Sequence, residues 1–130
     1  MEKKRALLIL CVTMIFAFVF WRSLVFLKSG EVSILRSVTG LNLHHYHYGI
    51  FLIFISSLIF IFYKVEKYSV ALLGFGFGSF FDGLVSRLLG LTARIVEIND
   101  YSRGFFPTVL LFGVLILFCV NIYLFFRRKV

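Results

Sequence analysis

Residues 70–89 read VALLGFGFGSFFDGLVSRLL, and the fold turns on whether this stretch is a strand or a helix. Phe75 and Phe77 alternate with Gly74, Gly76 and Gly78, the two-residue period of a strand. The same stretch also has a four-residue period: Gly74, Gly78, Asp82 and Ser86 fall on one ridge of a helix. The rest of the chain decides between the two. Of its 130 residues, 61% are hydrophobic, 15% are charged and one is proline, whereas a soluble domain carries roughly 25% charged residues. So much apolar surface calls for lipid as its solvent. A lone strand in lipid would leave its backbone N–H and C=O groups without partners, while a helix satisfies them internally. Residues 70–89 are therefore predicted to be helical.

Working outward, three further apolar segments cover residues 6–27, 45–63 and 105–126. At a rise of about 1.5 Å per residue, each is long enough to cross a hydrocarbon layer of about 30 Å. Lys3-Lys4-Arg5 opens the first segment as in a secretion signal. The apolar run is long for that role and no small-x-small cleavage site follows, so it reads as a retained anchor. Arg22, its one charge, is expected to reach outward to the interface. Pro107 is placed in the first turn of the fourth segment, where a missing N–H costs little. The expected fold is all-α: a single integral membrane domain over residues 1–130. It is a four-helix antiparallel bundle with polar loops at 28–44 and 90–104.

Charge orients this bundle. Lys3, Lys4, Arg5, Lys64, Lys67, Arg127, Arg128 and Lys129 share one side, giving eight basic residues and, with Glu2 and Glu66, a net charge of +6. The other side carries six, Arg22, Lys28, Arg36, Arg87, Arg94 and Arg103, and is nearly balanced by Glu31, Asp82, Glu97 and Asp100. The positive-inside rule then places both termini in the cytoplasm of a multi-pass cell-membrane protein. The basic residues flank apolar segments, which fits contact with membrane lipids and argues against a nucleic-acid partner. Cys11 and Cys119 lie within apolar runs and read as small hydrophobes.

The polar residues that remain gather at the outer end. His44, His45 and His47, the only histidines, open the second helix, and Asp82 lies in the outer half of the third. If residues 64–69 make these helices a hairpin, Asp82 lies level with about residue 51, roughly one turn below His47. Imidazole and carboxylate suit zinc, iron or manganese, and His44 and His47, three apart, share a helix face. The expected ligand set is His44, His47 and Asp82 around a divalent ion. His45, pointing elsewhere, and Asp100 are the candidate acid–base groups. Arg94 and Arg103 are candidates for holding a phosphate or lipid headgroup. Two competing readings are an interfacial aromatic belt and a structural ion pair from Asp82 to Arg87 or Arg22. Gly74 and Gly78 are expected to pack closely, with Gly49, Ser56 and Ser57 of the second helix as facing partners. Haem ligation would need histidines from a second copy, since all three sit at one helix end.

These elements, Asn42-Leu43-His44-His45-Tyr46-His47-Tyr48-Gly49, Gly76-Phe77-Gly78-Ser79-Phe80-Phe81-Asp82 and Asp100-Tyr101, resemble a family of small uncharacterised bacterial and archaeal integral membrane proteins. That family opens a helix with H-x-H-H-aromatic-x-x-G and continues with a Gly-rich helix ending in Asp-Glu. An acidic-Tyr-Trp element follows in the outer loop. Here Asn42, Gly83 and Ser102 stand where the family pattern has His, Glu and Trp, and His47 is additional. The resemblance covers residues 40–104 and implies a four-helix membrane protein without assigning an activity.

Two functions follow from the outer-end site. One is a metal-dependent enzyme acting on a lipid or lipid-linked substrate, the ion activating water. The other is a non-enzymatic proton or ion pathway, or a metal-binding sensor, that assembles as a homo-oligomer.

Overall fold

A computed structural model describes residues 1–27, 45–88 and 98–127. Within them the chain forms four helices: α1 Lys3–Leu27, α2 His45–Phe62, α3 Lys67–Leu88 and α4 Ile98–Arg127, and no strand occurs among the described residues. All four are long and apolar enough to cross a membrane. Phe75 and Phe77 lie in α3, so the glycine–phenylalanine alternation is part of a helix.

Helix α1 starts at Lys3, three residues before its apolar run, and two further starts differ from the sequence expectation for local reasons. Helix α3 starts at Lys67, three residues earlier than expected, because Glu66 and Ser69 cap each other. The Glu66 N–H donates to Ser69 Oγ (3.1 Å) and the Ser69 hydroxyl donates to the Glu66 carbonyl (2.9 Å). That carbonyl also accepts the Val70 N–H, which makes Glu66 the N-cap. The connection between α2 and α3 is thus residues 63–66. Helix α4 begins at Ile98, within the expected polar loop, so Pro107 lies inside the helix and not in its first turn. There the proline forgoes one i→i−4 bond. Thr108, the next residue, returns its hydroxyl to the Gly104 carbonyl (2.6 Å).

Close packing follows the glycines. A Cβ on Gly74 would strike Thr13 and Leu10 of α1, and one on Gly78 would strike Met14 and Ala17. On another face of α3, Gly76 abuts Ile53, while a Cβ on Gly49 would come within 2.5 Å of the Phe80 backbone nitrogen. Helix α3 is therefore gripped by α1 along one line and by α2 along another. The expectation that Gly74 and Gly78 would face the second helix is corrected: their ridge faces α1, and Gly49 meets Gly76 and Phe80. Helix α4 rests more lightly on α1 and α3. The pairings make α1 and α3 parallel, with α2 and α4 antiparallel to them. The start of α1, the 63–66 connection and the end of α4 consequently share one end of the molecule. His45 lies at the other.

What is buried is more polar than what is exposed. The buried hydrophobic residues are Met14, Ala17, Val70, Val85 and Phe112, whereas Arg22, His45, Ser56, Ser69, Ser79, Asp82 and Thr108 are buried as well. Phe16, Phe51, Phe54, Ile61, Leu117 and Phe118 are exposed. In water this distribution would forfeit most of the hydrophobic driving force. In hydrocarbon it is the favourable one, because close backbone approach and interhelical hydrogen bonds hold the helices together.

Gly49→Val is expected to destabilise the fold by about 1–3 kcal/mol, the usual range for overpacking a filled interface. Gly113→Val, at a position where an added Cβ meets nothing, is expected to be near neutral. Unfolding of both variants in mixed micelles by denaturing detergent, followed by circular dichroism, checks the contrast.

Candidate functional site

Asp82 is fully buried and receives partners from two directions. From α1, Arg22 Nε donates to Oδ1 at 2.8 Å and Nη2 approaches the same oxygen at 2.6 Å. From α2, His45 Nε2 stands 3.0 Å from Oδ2. Arg22 Nη2 also donates to Thr108 Oγ1 of α4 (3.2 Å), and the guanidinium lies over the Phe18 ring. All four helices thus contribute to one cluster at one end of the molecule.

The cluster answers the cost of charge in hydrocarbon. A lone carboxylate in a spanning helix costs about 2.5–3.5 kcal/mol on insertion scales. Arg22 sits on the α1 face that meets the Gly74–Gly78–Asp82 ridge, so its charge cancels that of Asp82. The expectation that Arg22 snorkels outward is corrected for this reason: it turns inward because a carboxylate lies opposite. Of the two candidate ion-pair partners for Asp82, the structure places Arg22 there. Arg87 donates instead to the Tyr46 hydroxyl and lies over its ring.

His45 reaches Asp82 through register and helix phase. Because the connection is 63–66, residues whose numbers add to about 129 are level across the α2–α3 pair, as Gly49 with Phe80 and Tyr46 with Gly83 show. Asp82 therefore lies one turn closer to the start of α2 than a 64–69 turn would give. His45, Gly49 and Ser56 form the buried stripe of α2, with His45 one turn before the glycine that touches α3. His47, two residues on, is turned to another side and stacks on Tyr46 with ring centroids 3.9 Å apart. The residue expected to point elsewhere, His45, is the one at the carboxylate.

An aromatic wall completes the site. Trp21 stacks on His45 (5.4 Å between centroids) and on Tyr48 (6.0 Å), and its indole N–H donates to Ser79 Oγ at 2.7 Å. The imidazole is held between an indole face and a carboxylate edge. His45, 9% exposed, is the member nearest the surface, while Asp82 is at 0% and Arg22 at 4%.

Gly83, where the family pattern has Glu, abuts this cluster. A Cβ there would lie 2.6 Å from Tyr46 Cβ and 3.2 Å from His45 Cδ2 and Nε2. The space an acidic side chain would need is filled by Tyr46 and by His45, the residue beside Asp82.

Of the expected metal set, His44 lies outside the described residues, as does Arg94. Asp100 and Arg103 fall in the first two turns of α4, with their side chains outside the described part. Among the described residues, no group of three or more His, Cys, Asp or Glu side chains is placed to hold a metal ion. Sequence reasoning weighed Arg22 only as a structural partner of Asp82, and it missed Trp21, Ser79 and Thr108 as site residues. The signal available for Trp21 and Arg22 was a Trp-Arg pair inside an otherwise apolar segment.

No family model, characterised protein or solved structure matches this chain. The fold and site themselves define its class: four helices long and apolar enough to cross a membrane, closed at one end around a buried Arg–Asp–His cluster.

Proposed function

We propose that the chain is a multi-pass membrane protein that works through one proton-exchanging centre, His45 on Asp82, at the outward-facing end. Its termini face the cytoplasm, as the excess of basic residues at their end favours, and membrane lipids cover its apolar faces. The observation that carries the reading is that His45 Nε2 lies 3.0 Å from Oδ2 of a buried carboxylate whose other oxygen is bound by Arg22. With Arg22 balancing Asp82, the cluster is neutral when His45 is neutral and carries one positive charge when His45 is protonated.

Protonation of His45 would place a positive charge beside Oδ2, and a charge-assisted hydrogen bond is roughly twice as strong as a neutral one. Helix α2 packs chiefly on α3, so the start of α2 is the element that tightens or loosens. The groups that face the imidazole and set its response are Arg22 and Trp21 from α1 and Asp82 from α3. Thr108 of α4 acts through Arg22, and Tyr46 and Arg87 border the site. The centre is a proton-responsive device, and a proton relay or pH sensor is the class of function it fits.

A metal-dependent enzyme acting on a lipid would need Asp82 to release one of these partners to an ion. Elemental analysis of detergent-purified protein separates the two readings. The expected result is no zinc, iron or manganese whose content depends on Asp82. About one ion per chain, lost in Asp82→Asn while the helices remain folded, would restore the metalloenzyme.

A further inference from the structure

The two cysteines, one from the first helix and one from the last, are brought together. The α1–α4 register is fixed by Arg22 with Thr108 (3.2 Å), Phe18 with Phe112 (5.1 Å between centroids) and Lys4 with Tyr123 (6.0 Å). Cys11 lies between Lys4 and Phe18, and Cys119 lies between Phe112 and Tyr123, at the matching level of the antiparallel pair. Cys11 is seven residues from Phe18 and Cys119 seven from Phe112, two helical turns in each case, so both thiols fall on the seam that the Phe18–Phe112 contact marks. Both thiols are free and partly exposed, with apolar Leu7, Leu8, Leu115 and Ile116 nearby in sequence. Arg22 and the rest of the proton centre lie three turns away along α1, so this pair belongs to a different part of the molecule.

We propose that Cys11 and Cys119 form a binding site for a two-coordinate soft metal ion, held between α1 and α4 in the hydrocarbon layer. Soft thiolate ligands select soft ions. Zinc would require four donors, and no further His, Asp, Glu or Cys among the described residues joins the pair. Two sulfurs, one from each helix, are the donor number that mercuric, silver and cuprous ions take in linear coordination. Apolar surroundings favour a complex without net charge, and a mercuric ion with two thiolates is neutral. With mercuric chloride the step is an exchange without redox change: two S–H and two Hg–Cl bonds break, two S–Hg bonds form, and two protons and two chloride ions leave to water.

The experiment uses the full chain, reduced and then freed of reductant, in lipid nanodiscs loaded with one copy each. Mercuric chloride is titrated in, with native mass spectrometry and thiol counting as readouts. The expected result is one mercury per chain, the loss of two protons and of both titratable thiols at one equivalent, and retention of the ion against competing glutathione. Cys11→Ser and Cys119→Ser are each expected to retain it about 100-fold more weakly, because the second sulfur acts as an intramolecular ligand at high effective concentration. Two mercury ions per wild-type chain, or single variants that hold the ion as firmly as wild type, would overturn the proposal. The wild-type stoichiometry decides the matter even if a serine variant fails to fold.

Discussion

Asp82→Ala is expected to destabilise the protein by about 3–5 kcal/mol, the loss typical of breaking a buried ion pair from one side. The loss has a specific origin. Arg22 is 4% exposed, and Oδ1 of Asp82 stands 2.6 Å from its guanidinium. Without that anion, the guanidinium retains the Thr108 hydroxyl and the Phe18 ring but loses the carboxylate that balances its charge. The control is the double variant Arg22→Met, Asp82→Leu, which removes both charges and fills the space. Replacing a buried pair by apolar residues of similar volume is often neutral or stabilising, so the double variant is expected to recover most of the loss. Detergent-induced unfolding of the wild type, Arg22→Met, Asp82→Leu and the double variant measures the coupling. Losses that simply add would show that the two residues do not interact.

Gly83→Glu is expected to be worse than Gly83→Ala, and neither is expected to be silent. The alanine methyl must displace Tyr46 or His45, at about 1–3 kcal/mol for overpacking. The glutamate adds a second carboxylate beside Asp82 in a buried setting, at a further cost of about 2.5–3.5 kcal/mol on insertion scales. Both changes push on His45, whose Nε2 would lie 3.2 Å from the new Cβ. Comparing the stability of the two variants with wild type tests whether this position is closed to side chains. Near-wild-type stability of Gly83→Glu would show that the His45–Asp82 contact tolerates a different packing.

The four helices are legible in the sequence because each carries an apolar run of spanning length, and Asp82 stands out as an acid inside one of them. What is not legible depends on details that hydropathy averages away. The Glu66–Ser69 cap starts α3 early and moves the α2–α3 register by about a turn, which decides whether the start of α2 reaches Asp82. Helix phase then selects His45, one turn before Gly49, over His47. The pattern of α3 alone indicates a ridge of Gly74, Gly78 and Asp82, but not whether α1 or α2 lies against it. Arg22 and Asp82 are 60 residues apart, and nothing local in either segment announces the pairing. The polar run from Asn99 to Arg103 suggests a loop, yet residues 98–103 begin α4.

Trp21, the only tryptophan in the chain, stacks on His45 and so provides the most direct test of the proton-exchanging centre. A protonated imidazole quenches a stacked indole more strongly than a neutral one does, so Trp21 emission reports the state of His45. In protein reconstituted in nanodiscs, emission is expected to fall in a step when the sample is acidified. The step should persist in His47→Phe and disappear in His45→Phe. An emission that stays flat in the wild type, or a step that survives in His45→Phe, would contradict the assignment of His45 and Asp82 as the working centre of this protein.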